Sequence, residues 1–287
     1  MRNFILSAEA AGDLSPELIK QYDVRVIPMK FFVDGVEYSS DEGKLTTHDI
    51  CVKMIAGAKT STTQPNPDEV EAYLENLLKE GKDILHLSFS SAQSGTCENF
   101  KNAAEKLNAT HENKVYVVDT LCQSSGDGLI ISLVAEKIDA ENLTIEQARD
   151  YAETIKHHII HYFAVDTFTY LARGGRIPAY LATIGNLINL KPVLHLDEIG
   201  RIVPVKKLIG RKRAISEVVR NFLENYNGES DLVYISEADC MEDAEYVKSE
   251  MIKAFPNVRV RILPLGPIIV SHSGPGTLAT YFTADKR

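Results

Sequence analysis

Through the first half of this 287-residue chain, apolar runs of strand length alternate with amphipathic segments of helix length. Runs at 4–6, 24–32, 84–89 and 115–118 read as strands, and the segments between them are long enough for crossover helices. That pattern predicts a mostly parallel sheet covered by helices on both faces. The helix starts are explicit. Ser15-Pro16-Glu17 places a capping hydroxyl before a proline at the first helical position, and Pro67-Asp68-Glu69 opens a helix that stops at Gly81. Thr144 with Gln147 forms a capping box for a helix running towards His158.

From about Tyr162 the texture changes. Residues 163–166 read as a strand, Arg173-Gly174-Gly175-Arg176 as a loop and 178–188 as an apolar helix; 193–203 alternates across Gly200 as a hairpin would. Helices near 213–225 and 239–254 frame strands at 232–236 and 258–263. The chain is therefore expected to form two domains. The first, residues 1–162, is a mostly parallel three-layer α/β/α unit, and the second, residues 163–287, is an α/β unit with a largely antiparallel sheet. No charged linker separates them, so a cleft between closely apposed domains is expected.

Charge narrows the function. Lys and Arg total 31 against 40 Asp and Glu, a net −9, the wrong sign for a general nucleic-acid binder. Cys51, Cys97, Cys122 and Cys240 are too dispersed for a zinc or redox pair, so reduced thiols in the cytoplasm are expected. The N-terminal apolar run is only 4–6, followed by Glu9, which fits a strand better than a signal peptide. The uncharged stretch 262–283 is broken by Pro264, Gly266, Pro267, Gly274, Pro275 and Gly276, so no integral membrane segment is expected there.

Ligands of parallel sheets bind beyond the carboxyl ends of the strands. Three segments rich in hydroxyls and free of charge stand out: Thr60 to Pro67, Ser88 to Thr96, and Ser271-His272-Ser273-Gly274-Pro275-Gly276. Neutral donors with a helix start near Gly95 suit a single oxyanion such as a carboxylate. No phosphate-binding glycine motif is present to suggest a nucleotide. Such loops also arise simply because these residues make turns. Other constellations compete. His157, His158 and His161 include an i, i+4 pair on a helix that could hold a metal, but no third ligand is apparent and a solvated helix end is the plainer reading. Ser94, His272 and Asp119 could form a hydrolase triad, although no G-x-S-x-G elbow is present. The basic run Arg201, Lys206, Lys207, Arg211, Lys212, Arg213 is either a solvated face or a docking patch for an acidic or phosphate-bearing partner.

Taken together, these motifs resemble those of the DegV family of fatty-acid-binding proteins. Thr62-Thr63-Gln64-Pro65 resembles the family's T-S-Q-P loop, and Ser90 to Thr96 its S-S-x-x-S-G-T loop. Val118-Asp119-Thr120 resembles a D-S strand end, Leu171 to Ile177 the L-x-R-G-G-R-I loop, and His272-Ser273-Gly274-Pro275-Gly276 H-T-G-P-G, with Asn189 to Leu194 matching the segment before the hairpin. The resemblance implies a long-chain fatty acid held between the domains. Its carboxylate would be held by Thr62, Thr63, Ser94, Gly95, His272 and Ser273, with residues 267–287 contributing, and its tail would be buried. It implies no cofactor beyond that ligand and no catalysis by this chain. A separate ATP-dependent kinase subunit would form the acyl phosphate, docking at Arg173, Arg176 and Arg201, and the product would enter phospholipid synthesis. A transient contact with a membrane surface is compatible with that role. One departure stands out: where the family has I-x-T-D-S-x-x-D-L, this chain carries Glu9-Ala10 in place of D-S. The alternatives from other classes are a stand-alone lipid sensor or buffer and a Ser-His lipase or thioesterase.

Overall fold

The computed structural model describes residues 2–184 and 189–287. In the first half, β1 (Phe4–Glu9), a 3-10 turn (Ala10–Gly12), α1 (Pro16–Gln21), β2 (Val24–Ile27), β3 (Lys30–Val33), β4 (Val36–Ser39), α2 (Thr47–Ile55), β5 (Thr60–Thr63) and α3 (Pro67–Leu78) follow one another. They are succeeded by β6 (Asp83–Ser88), α4 (Thr96–Asn108), β7 (Val115–Asp119), α5 (Ser124–Glu141) and α6 (Ile145–Ile155). The second half runs β8 (Ile159–Ala164), α7 (Thr169–Arg173), α8 (Tyr180–Ile184), β9 (Leu190–Leu196), β10 (Ile202–Ile209), α9 (Arg211–Asn225) and β11 (Leu232–Glu237). It closes with α10 (Met241–Ala254), β12 (Arg259–Pro264), α11 (Pro267–Ser273) and β13 (Leu278–Thr283).

Capping chemistry set the helix starts as the sequence suggested. Ser15 accepts from the Leu18 N–H, and Asn66 and Thr144 each close a capping box. Strands β2, β1, β6 and β7 form a wholly parallel sheet in that order. Alternation along β1 sends Ile5 against Val70, Leu74 and Phe100 of α3 and α4, and Leu6 against Leu129 of α5 and Ala152 of α6. This is the expected α/β/α sandwich. The second sheet, β10-β9-β8-β13-β11-β12, is antiparallel except at β11/β12. Helices α9 and α10 cover one of its faces through Phe222 and Met251. Its other face, with Phe163, Tyr234 and Tyr281, packs on α5. Helix α5 is thus a layer shared by both sheets, which is why 124–135 is buried on every side. It approaches its neighbours so closely that a Cβ on Gly126 would lie 2.1 Å from His161 Nε2.

Several expectations change. The run 24–32 is two strands, broken at Pro28-Met29, because β3 leaves the parallel sheet for a small antiparallel one, β4-β3-β5. Thr60 to Thr63 is the third strand of that sheet and not a loop. The end of β12, helix α11 and strand β13 occupy the stretch 262–283. The six residues of β8 all pair with β13, so the expected boundary between 162 and 163 falls inside a strand. The expected helix 178–188 is seen at Tyr180–Ile184, and 185–188 lie outside the described residues.

Candidate functional site

The carboxyl ends of β1, β6 and β7 open onto a cavity of about 710 Å³ that the second sheet and α11 also line. Its volume falls within the usual range for small-molecule sites, roughly 300–1,000 Å³. Phe89, Phe163, Leu171, Ile202, Leu265 and Ile268 give it apolar walls. Polar groups gather where β5, the turn before α4 and the end of α11 meet. Thr62, Thr63, Ser94, His272 and Ser273 all line the cavity. Thr62 shares a 2.7 Å hydrogen bond with His272 Nε2. Ser94 lies 2.8 Å from the Thr96 hydroxyl and accepts from the Thr96 N–H, which fixes it at the start of α4. Gly95 is pressed against Gln64, where a Cβ would come within 2.7 Å of Oε1. The Ser273 hydroxyl is buried and has no hydrogen-bond partner among the described residues.

Arg176, expected beside Arg173 on the outer surface, lines the cavity instead. Its guanidinium donates to the Gly174 carbonyl and faces His272. Burial and that neighbouring cation push the His272 imidazole down to about 4, so it is neutral at pH 7. A neutral imidazole, four hydroxyls and one guanidinium can hold a single carboxylate. Sequence reasoning missed Arg176 as a cavity residue because spacing in R-G-G-R does not reveal which arginine turns inward. Arg173 is exposed and lies 5.7 Å from the Tyr170 ring centroid, and Arg201 is exposed and paired with Asp197 at 2.9 Å.

Other constellations dissolve. His161 is on β8, where burial holds its imidazole well below the usual range and Nε2 accepts from the Gln123 N–H. It does not share a helix with His157. Among the described residues no group of three or more His, Cys, Asp or Glu could hold a metal ion. Asp119 accepts from the Ser91 and Leu121 N–H groups, and His272 Nε2 is bonded to Thr62, so the Ser94-His272-Asp119 triad is not assembled. Glu9 is fully buried and accepts from Ser88 Oγ at 2.7 Å and the Phe89 N–H at 2.9 Å. It therefore braces the end of β6. The basic run is partly neutralised within the fold, Lys206 by Glu217 and Arg211 by Asp166 and Asp243. Among the described residues no helix is long and apolar enough to cross a membrane.

The family model described as "Uncharacterised protein, DegV family COG1307" matches residues 6–285. The chain belongs to the DegV family. A DegV domain-containing protein of Clostridium perfringens is 30% identical over 100% of this chain and 99% of its own. A solved DegV structure from Thermus thermophilus, described for its fatty acid binding, superposes with a TM-score of 0.86 at 29% identity, covering 99% of this chain and 100% of that one. DegV of Bacillus subtilis, described as a fatty acid binding protein, gives 0.84 at 25% identity with 99% and 100% coverage. The six-motif order read from this DegV chain thus corresponds to a match along nearly its whole length.

Proposed function

We propose that this protein binds a long-chain fatty acid, its carboxylate at Thr62, Thr63, Ser94, His272, Ser273 and Arg176 and its tail along the apolar walls. The observation that carries this reading is the buried Ser273 hydroxyl, without a hydrogen-bond partner among the described residues, in the same cavity lining as the Thr62–His272 pair, Arg176 and the apolar walls. The fatty-acid binding described for the Thermus and Bacillus relatives supports it. At about 0.8 kcal/mol per buried methylene, a sixteen-carbon tail contributes on the order of 11 kcal/mol, against roughly 1.5–3 kcal/mol for each bond to a charged head group. The tail sets affinity and the cluster sets where the carboxyl carbon lies.

The protein then presents that carboxylate in the cytoplasm to an ATP-dependent kinase subunit. A carboxylate oxygen bonds to the γ-phosphorus, the bond to the β-phosphate bridging oxygen breaks, and ADP leaves. Arg173 and Arg201 are the exposed cations of this reading, since Arg176 is spoken for inside. A hydrolase reading lacks a Ser94–His272 bond. The deciding experiment is denaturation of protein purified from a bacterial host, solvent extraction and mass spectrometry. Stoichiometric free fatty acid supports the proposal; an extract still empty after incubation with a fatty acid mixture refutes it.

A further inference from the structure

Lys191 and Arg211 are among the motif and basic-run residues that head-group binding leaves unexplained, and both are largely buried, with side-chain exposures of 17% and 23%. Both are paired with carboxylates of this chain. Lys191 Nζ is 2.8 Å from Asp166 Oδ1, and Arg211 Nη1 is 3.3 Å from the same oxygen. Arg211 Nε reaches Asp243 at 2.8 Å, and its Nη1 also donates to the Gly276 carbonyl. Four elements are thereby tied together: the end of β8, β9, the start of α9 and α10. The point they converge on is the backbone of Gly276.

Gly276 is held from the other side as well, its N–H donating to the Ala238 carbonyl at 2.8 Å. Its φ of +73° and the 2.7 Å approach of Asp166 to where a Cβ would stand leave room for glycine alone. Three residues upstream of Gly276, the end of α11 presents His272 and Ser273 to the cavity, and the Thr277 hydroxyl donates to the Gly274 carbonyl at 2.7 Å, closing the turn. A turn tied at its carbonyl, its N–H and its internal hydroxyl has little freedom to translate. The side chains it carries inherit that fixity.

We infer that Asp166 and Arg211, supported by Lys191, are positioning residues for the carboxylate site: they brace the Gly274–Thr277 turn from behind and so hold His272 and Ser273 at the head group. This rests on the reading of the cavity as a fatty-acid site. It assigns to Arg211 a fork that lysine cannot reproduce, because one guanidinium serves two carboxylates and a carbonyl at once. Arg211 is thereby removed from the docking patch.

The test separates head from tail. For delipidated wild type, Arg211→Lys and Asp166→Asn, affinities are measured for saturated acids of fourteen, sixteen and eighteen carbons and for the sixteen-carbon alcohol. The bound carboxyl carbon of 1-¹³C-labelled sixteen-carbon acid is followed by NMR. The expected result is that each variant loses about tenfold of the acid-over-alcohol preference and shifts the labelled carbon resonance, while the affinity gain per methylene is unchanged. A preference and a resonance both equal to wild type in either folded variant would overturn the inference, as would an equal loss for acid and alcohol. If Arg211→Lys fails to fold, Asp166→Asn alone decides. Wild type that binds neither acid nor alcohol, or does not distinguish them, would instead refute the fatty-acid reading itself.

Discussion

Thr62 Oγ1 and His272 Nε2, 210 positions apart in sequence, lie 2.7 Å from each other. The bond joins β5 of the small sheet to the end of α11, and it orients a neutral imidazole that lines the cavity. Thr62→Val keeps the β-branched shape and removes the hydroxyl. Affinity for a long-chain acid should fall about three- to tenfold, as for loss of one hydrogen bond, and the increment per methylene should stay the same. Combining it with His272→Gln should cost less than the sum of the two, because both act on one bonded pair. Calorimetric titration of the single and double variants checks this.

Among the contributions to the pH dependence of stability, those of Asp13 and His272 oppose each other. Burial pushes the Asp13 carboxyl up to about 7 from its ordinary 3.8, the bond from Ser124 offsetting only part of it. The folded protein then holds a proton that the unfolded chain has released, so Asp13 makes stability fall as pH rises from 3.8 to about 7. His272, pushed down to about 4 from 6.5, does the reverse, and its contribution to stability is lost as pH falls through that window. The two slopes have opposite sign between about pH 4 and 6.5. Asp13→Asn removes the falling one, and asparagine tolerates the φ of +50° found there. Between about pH 4.5 and 6.5 its unfolding free energy should rise more steeply with pH than that of wild type by up to about 1.4 kcal/mol per unit. Urea unfolding at three pH values measures the difference.

Much of the scaffold was legible because its signals are local. Capping residues at Ser15, Asn66 and Thr144 lie within three residues of the groups they satisfy, and the β9–β10 hairpin announces itself at Gly200. What stayed hidden depends on residues far apart. Thr60 to Thr63 has the composition of a loop and becomes a strand only because Lys30 to Val33 lies beside it. The stretch after Ile262 has no charge pattern to reveal that β13 is a central strand, buried on both sides. The inward turn of Arg176, which donates to the Gly174 carbonyl and lines the cavity with His272 of α11, likewise depends on residues far apart in sequence.

Gly174 offers a steric probe of His272. Its φ of −73° is open to any residue, so alanine brings no backbone strain there, yet a Cβ would stand 2.3 Å from His272 Nδ1. Gly174→Ala should therefore displace the imidazole and lower acid affinity by about tenfold or more with little change in stability. Gly126→Ala, whose Cβ would meet buried His161, should instead cost about 2 kcal/mol of stability. Thermal unfolding and ligand titration of both variants would show whether the two effects separate as stated.

The two arginines of R-G-G-R should part company. Arg176→Ala removes the cation that lines the cavity and faces His272, so acid affinity should fall by about tenfold. Arg173→Ala removes an exposed side chain resting near Tyr170 and should leave acid affinity within about twofold of wild type. If a kinase subunit docks there, its pull-down and acyl-phosphate formation should weaken in Arg173→Ala with the fatty acid still bound. Equal loss of acid binding in both variants would contradict the assignment of one arginine to the inside.

Chain-length preference should be adjustable at Ala279. This residue is 2% exposed, lines the cavity from β13, and stands opposite Phe163 of β8 and Ser236 of β11 in the sheet register. A larger side chain here cannot retreat, because the strand is hydrogen-bonded on both sides and the sheet is backed by α9. Ala279→Leu adds three carbons and so takes space from about three methylenes of a bound tail, each worth roughly 0.8 kcal/mol when buried. The longest acids should lose about 2 kcal/mol of binding, while acids shorter by three or four carbons should bind as before. Mass spectrometry of the acids carried through purification should then show the distribution moved to shorter chains; an unchanged distribution would mean that the tail does not run past β13.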